Sequence, residues 1–395
     1  MPWRETCVMD ERMRFIGRWL RNEATMAELC RQAEVSRKTG YKWVTRDQTG
    51  GPTALVDRSR APHTHPQALP AADATALRAL RAAHPTWGPR KLVAHLADQD
   101  RTRAWPAPST VGDLLHRHGL TVPRRRRRHT PPRTQPLAHA HAPNAVWSAD
   151  FKGWFVTGDG AKCTPFTLAD AHSRYLLRCQ ALGAATDTTL VRPLLEAAFR
   201  EFGLPAAIRT DNGPPFASTG VGGLSPLRVW WVRLGIRPER ITPGRPGENG
   251  RHERLHRTLA AETACPPDAS LRAQQRAFDR FRRIYNEQRP HEALGQIPPS
   301  RVYVPSPRPF PSRLPELTYP AAYEVRRIRQ NGQLRCGHDW LYLSATLAGE
   351  TVGLAPVADG CWDLYFGPVP LGVLDERRAR LRPPRPRAPP PQEDA

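Results

Sequence analysis

Apolar residues near the start of the chain recur three or four positions apart, the spacing of one helical face. Between Glu11 and Gln48 they fall at Met13, Phe15, Ile16 and Leu20, then at Met26, Leu29 and Ala33. A turn at Glu34-Val35 leads to Ser36, a side chain able to cap a further helix through Arg37, Lys38, Thr39, Gly40, Tyr41, Lys42 and Trp43. Residues 51–70 lose the periodicity, are rich in Pro, His and small residues, and read as a linker. A second helical set occupies residues 71–120: Ala76, Leu77 and Leu80 begin it, Trp87-Gly88-Pro89-Arg90-Lys91-Leu92 opens the next helix, and Ser109 caps a last one through Leu115.

Beyond a basic linker at residues 121–143 the pattern changes to short apolar runs. Val146 to Phe151 predicts a strand, Phe155-Val156-Thr157 and Cys163 to Asp170 flank a Gly158-Asp159-Gly160 turn, and Arg174 to Ala181 completes a meander. A helix from Thr189 to Phe202 would bury Leu190, Leu194, Leu195 and Phe199 and stop at Gly203, with Pro193 demanding an N-terminal position or a kink. Ala206 to Thr210 is a further strand. Ser225-Pro226 opens a helix through Trp230 and Trp231, Asn249 can cap another, and Leu271 to Tyr285 is an Arg-rich amphipathic helix. This block, residues 144–304, ends at a Pro-rich linker over 305–322. Residues 323–376 carry short β-like runs divided by Asn331-Gly332 and Asp359-Gly360 turns, which predicts a small β-barrel of about five strands. The Arg/Pro-rich tail, 377–395, predicts disorder.

Charge adds a partner to this outline. The formal net charge is +22, and 54 of the 59 basic residues are Arg, a bias to which GC-rich coding can contribute. Such an excess calls for a polyanion, with nucleic acid the first candidate. The first helical set has the layout of a helix-turn-helix, which makes Arg37, Lys38, Thr39 and Lys42 the candidate DNA-facing side chains. The run Arg124, Arg125, Arg126, Arg127 and Arg128 suits phosphate contacts that add salt-dependent affinity. The seven Cys are scattered without Cys-x-x-Cys or Cys/His zinc spacing, so neither a disulfide framework nor a structural zinc is indicated. No apolar run approaches the roughly 18 residues of a membrane span, and the expected location is cytoplasmic.

Three carboxylates stand in settings that are awkward for a carboxylate. Asp150 interrupts a short apolar strand, Asp211 ends another where Asn212-Gly213 forces a turn, and Glu253 opens a helix after a Gly/Pro-rich loop. Together they make an all-oxygen set suited to Mg²⁺ or Mn²⁺, and two such ions about 3.5–4 Å apart support phosphodiester chemistry. Trp147-Ser148-Ala149-Asp150-Phe151, Thr210-Asp211-Asn212-Gly213-Pro214-Pro215-Phe216 and Asn249-Gly250-x-x-Glu253-Arg254-x-His256-x-x-Leu259 resemble, in order, the catalytic core of retroviral-type integrases and bacterial insertion-sequence DDE transposases. Tyr285-Asn286-Glu287-Gln288-Arg289-Pro290-His291-Glu292-Ala293-Leu294 is similar to the segment that closes that core.

The resemblance implies a multidomain protein: α-helical helix-turn-helix units at the N-terminus, an α/β RNase H-like integrase core, and a C-terminal β module for DNA binding or assembly. It makes Asp150, Asp211 and Glu253 the metal-binding catalytic triad, with a second helix-turn-helix at residues 71–120 adding Arg90 and Lys91 to the DNA contacts. Glu248 competes for the third place. Glu253 fits the order after Asn-Gly, although 41 residues then separate it from Asp211. The implied activity is binding of element ends as double-stranded DNA, metal-dependent cleavage exposing a 3′ hydroxyl, and strand transfer into target DNA by a homo-oligomer. A non-catalytic DNA-binding regulator or a stand-alone nuclease on the same fold are the alternatives.

Overall fold

A computed structural model describes residues 7–60, 68–121, 137, 139–242 and 250–384. The chain divides into two compact units, Met1–Ala68 and Leu69–Ala395.

The first unit is built on α1 (Val8–Leu20), α2 (Met26–Gln32) and α3 (Arg37–Gly50). Ser36 caps α3 as expected, its hydroxyl accepting from the Thr39 N–H. Phe15, Ile16, Leu29, Cys30 and Val44 form the core, and Leu55 joins them from beyond α3. The stretch after Gly50 is therefore not all linker. Arg12 fastens it by donating to the Leu55 carbonyl and pairing with Asp57 at 2.7 Å.

The second unit opens with α4 (Ala71–Ala83), α5 (Pro89–Gln99) and α6 (Pro108–Arg117), packed around the fully buried Leu77, Trp87 and Leu92. Ser109 is not the cap of α6. Pro108 takes the first helical position, where its missing N–H costs nothing, and Ser109 lies inside the first turn.

The central sheet follows from strand alternation. β1 (Val146–Phe151) pairs antiparallel with β3 (Lys162–Asp170), which pairs with β4 (Leu176–Leu182) and with the short β2 (Phe155–Val156). On its other side β1 pairs parallel with β5 (Ala207–Thr210), and β5 with β6 (Arg237–Arg240). The order β4-β3-β1-β5-β6, three antiparallel strands followed by two parallel to the first, is that of an RNase H-like sheet. Trp147, Ala149, Phe166, Leu168 and Ile208 point to one face, under α7 (Thr188–Phe202) and α8 (Pro226–Arg233). Cys163, Ala169, Leu176 and Cys179 point to the other, against α9 (Gly250–Thr263) and α10 (Leu271–Glu287). Trp230 and Trp231 are core residues, and Pro193 sits in the second turn of α7, where it removes a real helical hydrogen bond.

Residues 305–322 are not a free linker either. Ser306 N–H donates to the Phe202 carbonyl, Leu204 N–H donates to the Arg308 carbonyl, and the Arg308 guanidinium reaches the carbonyls of Pro205, Leu234 and Gly235. Gly203 permits this strap: its φ is 76°, and a Cβ there would lie 2.6 Å from the Ser306 carbonyl oxygen.

The C-terminal module departs from the expected barrel. β7 (Glu324–Arg327), β10 (Thr351–Ala358), β11 (Cys361–Phe366), β12 (Val369–Asp375) and β13 (Arg380–Arg382) form an open antiparallel sheet in the order β13-β12-β11-β10-β7. β8 (Gln333–Cys336) and β9 (Asp339–Tyr342) form a separate hairpin. Closure is unnecessary because the apolar face is already sealed, by Leu334 and Cys336 of the hairpin and by Leu224, Val229 and Val232 at α8. The module thus shares a core with the central domain.

Candidate functional site

Parallel pairing aligns the two strands that lead to Asp150 and Asp211. Val146, Trp147 and Ser148 stand opposite Ala207, Ile208 and Arg209. Continued two residues further, this register brings Asp150 level with Asp211 at the carboxyl ends of adjacent strands, where open α/β sheets place their ligands. The Asp211 carboxylate has a buried Oδ1 with no hydrogen-bond partner among the described residues. Burial raises its pKa, against the opposing pull of the Gly213 N–H and the Arg228 guanidinium. Arg228 is itself buried, donating to the Phe216 carbonyl at 2.6 Å and to Thr210 Oγ1 at 3.2 Å, and burial pushes its pKa down to about 10.

Asp150 is half-buried, and its Oδ1 accepts from the Phe151 N–H at 2.8 Å. Glu253 lies exposed in the first turn of α9, on a helix held to the sheet by His252, Leu255, His256 and Leu259. Asn249 and Glu248 fall outside the described residues. Asp170, by contrast, is structural: its oxygens accept from the N–H groups of Asn144 and Ser173 and from the Ser173 hydroxyl.

Two residues to which the reading of the sequence gave no ligand role sit at the centre of this region. Among the described residues, the three His, Cys, Asp or Glu side chains whose donor atoms converge are Asp150, His252 and His256, all within 4.8 Å of one another. Asp211 and Glu253 lie outside that group. His252 Nδ1 contacts Ser148 Oγ at 2.9 Å, while Nε2 of His252 and of His256 both reach Thr167 Oγ1, at 2.7 and 2.8 Å. Burial holds both imidazoles neutral, His252 well below its usual pKa and His256 at about 4. The available signal was the spacing: His252 and His256 stand four apart in His-Glu-x-x-His, which aims both rings from one helical face.

The basic candidates divide. Arg37, Lys38 and Lys42 are exposed on α3, whereas Thr39 is half-buried with its hydroxyl 3.0 Å from Ser36 Oγ. Arg90 and Lys91 face the central domain: Arg90 lies 3.2 Å from Glu292, and Lys91 Nζ donates to the Pro290 carbonyl at 2.6 Å. Burial, reinforced by Arg289, pushes Lys91 down to about 8. Around this contact a cleft between α5 and α9 is lined by Lys91, Arg174, Arg251, Arg254, Arg257 and Arg289. Arg124 to Arg128 fall outside the described residues.

Family models match parts of this arrangement. The integrase core domain family matches residues 140–246 and, through a second profile, 234–299. A helix-turn-helix domain family matches 11–63, and a homeodomain-like family 39–115. The chain is similar to two proteins of bacterial insertion elements. It is 32% identical over 194 residues to the insertion element IS407 uncharacterized 31.7 kDa protein of Burkholderia multivorans, covering 47% of this chain and 65% of that one. It is 31% identical over 169 residues to the insertion element IS476 uncharacterized 39.2 kDa protein of Xanthomonas euvesicatoria, covering 42% and 46%. The matched stretch thus spans less than two thirds of either relative.

Among solved structures, the simian T-cell lymphotropic virus intasome in complex with PP2A regulatory subunit B56 gamma aligns at TM-score 0.37 and 16% identity, over 73% of this chain and 91% of that one. The HTLV-2 integrase catalytic core in complex with magnesium aligns at 0.31 and 16%, over 41% and 98%. No helix of the described residues is long and apolar enough to cross a membrane.

Proposed function

We propose that the chain is a DNA transposase that binds element ends, cleaves to expose a 3′ hydroxyl and joins that hydroxyl to target DNA. What supports this reading is the register of β1 and β5, which continued two residues would bring Asp150 level with Asp211, together with α9, packed on the same sheet and carrying the exposed Glu253 in its first turn.

The donor set fits a hard divalent cation. A carboxylate oxygen buried without a partner, as at Asp211, needs a cation or a donor to offset its desolvation. Asp150, Asp211 and Glu253 would hold Mg²⁺ or Mn²⁺, as a pair of ions on this reading. Bound there, the metal would supply activation of the attacking oxygen and charge stabilisation at the leaving one. The chain's own share is placement. Burial in the strand ends fixes the two Asp carboxylates, Arg228 supports the Asp211 turn from beneath, and α9 carries Glu253 to the rim. In the first step water attacks a phosphodiester and the 3′ oxygen leaves. In the second that 3′ oxygen attacks a target phosphodiester, so one bond forms for each that breaks and no outside energy source is required.

The exposed Arg37, Lys38 and Lys42 of α3 would supply the end-reading surface. The test is a strand-transfer assay with element-end DNA. Asp150→Asn, Asp211→Asn and Glu253→Gln should each abolish cleavage and joining while leaving end binding within about twofold of wild type, and Glu248→Gln should be mild. Cutting without joining by the wild type would make the chain a nuclease, and end binding without cutting would make it a regulator. An inactive Glu248→Gln beside an active Glu253→Gln would displace Glu253 from the triad.

A further inference from the structure

The apolar stripe of α9 is interrupted by two imidazoles where Leu255 and Leu259 show that aliphatic side chains fit. His252 and His256 are both buried, and their Nε2 atoms converge on one point, marked by Thr167 Oγ1. The Asp150 carboxylate closes the third side, with all three donor atoms inside 4.8 Å. Ser148 Oγ engages the far nitrogen of His252, as the outer partner of a metal-bound imidazole does when it fixes which nitrogen faces the ion.

We propose that Asp150, His252 and His256 form a cation site, separate from the acidic triad but sharing Asp150, built for a nitrogen-preferring divalent ion of the Zn²⁺ type. Two nitrogens and one carboxylate make a donor set of that class and a poor one for Mg²⁺, which prefers oxygen and retains water. Donors around a tetrahedral ion stand about 3.3 Å apart, given bonds of about 2.0 Å. The group therefore closes with an ångström-scale movement, which the half-buried Asp150 can make. Thr167 Oγ1 or a water supplies the fourth position.

Sharing Asp150 gives the site a consequence. An ion held by the histidines withdraws this carboxylate from the triad, so Zn²⁺ opposes Mg²⁺-dependent chemistry. That inhibition rests on the transposase reading, whereas binding of the ion does not.

The experiment is titration of the metal-free full chain with Co²⁺, followed by the strong visible absorption of a tetrahedral complex. One equivalent should bind, be displaced by Zn²⁺, and resist a large excess of Mg²⁺. His256→Gln should lose the signal and Asp150→Asn should weaken binding by about tenfold or more, while Ser148→Ala, which removes only the outer partner, costs about tenfold. Asp211→Asn and Glu253→Gln should bind Co²⁺ as the wild type does. Far-ultraviolet circular dichroism checks each variant for folding, and if His256→Gln fails to fold, the near-isosteric Asp150→Asn carries the test. Absence of a tetrahedral signal, showing that the two imidazoles are a hydrogen-bonded core only, would overturn the proposal. So would a signal lost in Asp211→Asn but kept in His256→Gln, which would put the ion in the acidic triad.

Discussion

Asp211 combines an unpartnered buried oxygen with a raised pKa. Burial raises its pKa, so the folded chain binds this proton more tightly than the unfolded chain does. The group's contribution to stability therefore falls as pH rises from the ordinary carboxylate range through the raised value, and at neutral pH it opposes folding. Asn removes the charge and keeps the shape. Without divalent ions at pH 7, Asp211→Asn should melt at the same temperature as the wild type or higher; added Mg²⁺ should raise the melting temperature of the wild type and not of the variant. A clearly lower melting temperature for Asp211→Asn in metal-free buffer would show that the carboxylate is satisfied in the fold. The acids were legible in the sequence because each breaks a local rule: a charge inside an apolar strand, a charge at a strand end before Asn-Gly, a charge at a helix start. His252 and His256 break none; their four-residue spacing is the one mark they leave, and what it faces is not known until the sheet beneath α9 is.

Among the elements, α2 and α3 leave little room for change where they meet at Gly40. A Cβ on Gly40 would lie 2.5 Å from Cys30 Sγ, 3.0 Å from Met26 Sδ and 3.1 Å from the Phe15 ring. Ala normally strengthens a helix by roughly 0.5–1 kcal/mol over Gly, but overpacking of this kind costs about 1–3 kcal/mol, so the loss wins. Gly40→Ala should speed hydrogen exchange of the α3 amides by roughly fivefold or more and weaken end binding in proportion; unchanged exchange would mean that the helices separate freely. The second helical unit poses a different question, because α5 spends Lys91 on the central domain. With the folded pKa near 8 and the unfolded value in the ordinary lysine range, the unfolded chain holds the extra proton between them. This group's contribution therefore becomes more favourable as pH rises across that window. Thiols that burial pushes up, such as Cys163 at about 11, act in the opposite sense, so the quantity to measure is the wild-type minus Lys91→Met difference in melting temperature, which should grow between pH 7.5 and 9. Periodicity predicted α5 and gave no sign of the Lys91 contact, for a long-range bond to the Pro290 carbonyl leaves no mark in the local pattern. The strap at 305–322 and the open C-terminal sheet escaped for the same reason: Pro-rich composition and short β runs say nothing of the carbonyls and the α8 face that receive them.

At the scale of the whole molecule, the described residues hold one pair of strand-end acids, while on the proposed transposase reading moving an element requires chemistry at two ends. The active species should therefore be at least a dimer on paired ends, each core supplying a single centre. The division at Ala68/Leu69 supplies the means of testing it, because the first helical unit can be removed while the compact Leu69–Ala395 unit is kept whole. Protein lacking residues 1–68 should carry an intact centre but bind ends poorly, and Glu253→Gln should bind ends but not join them. Mixed on paired element ends, the two should restore joining to a level well above the sum of each alone, if one subunit can hold an end while another supplies the triad. Added Glu253→Gln should also poison the wild type out of proportion to its share, since an assembly with one dead centre completes only one end. Linear dilution of activity by Glu253→Gln, together with monomers alone in sedimentation on paired ends, would establish that each chain works by itself.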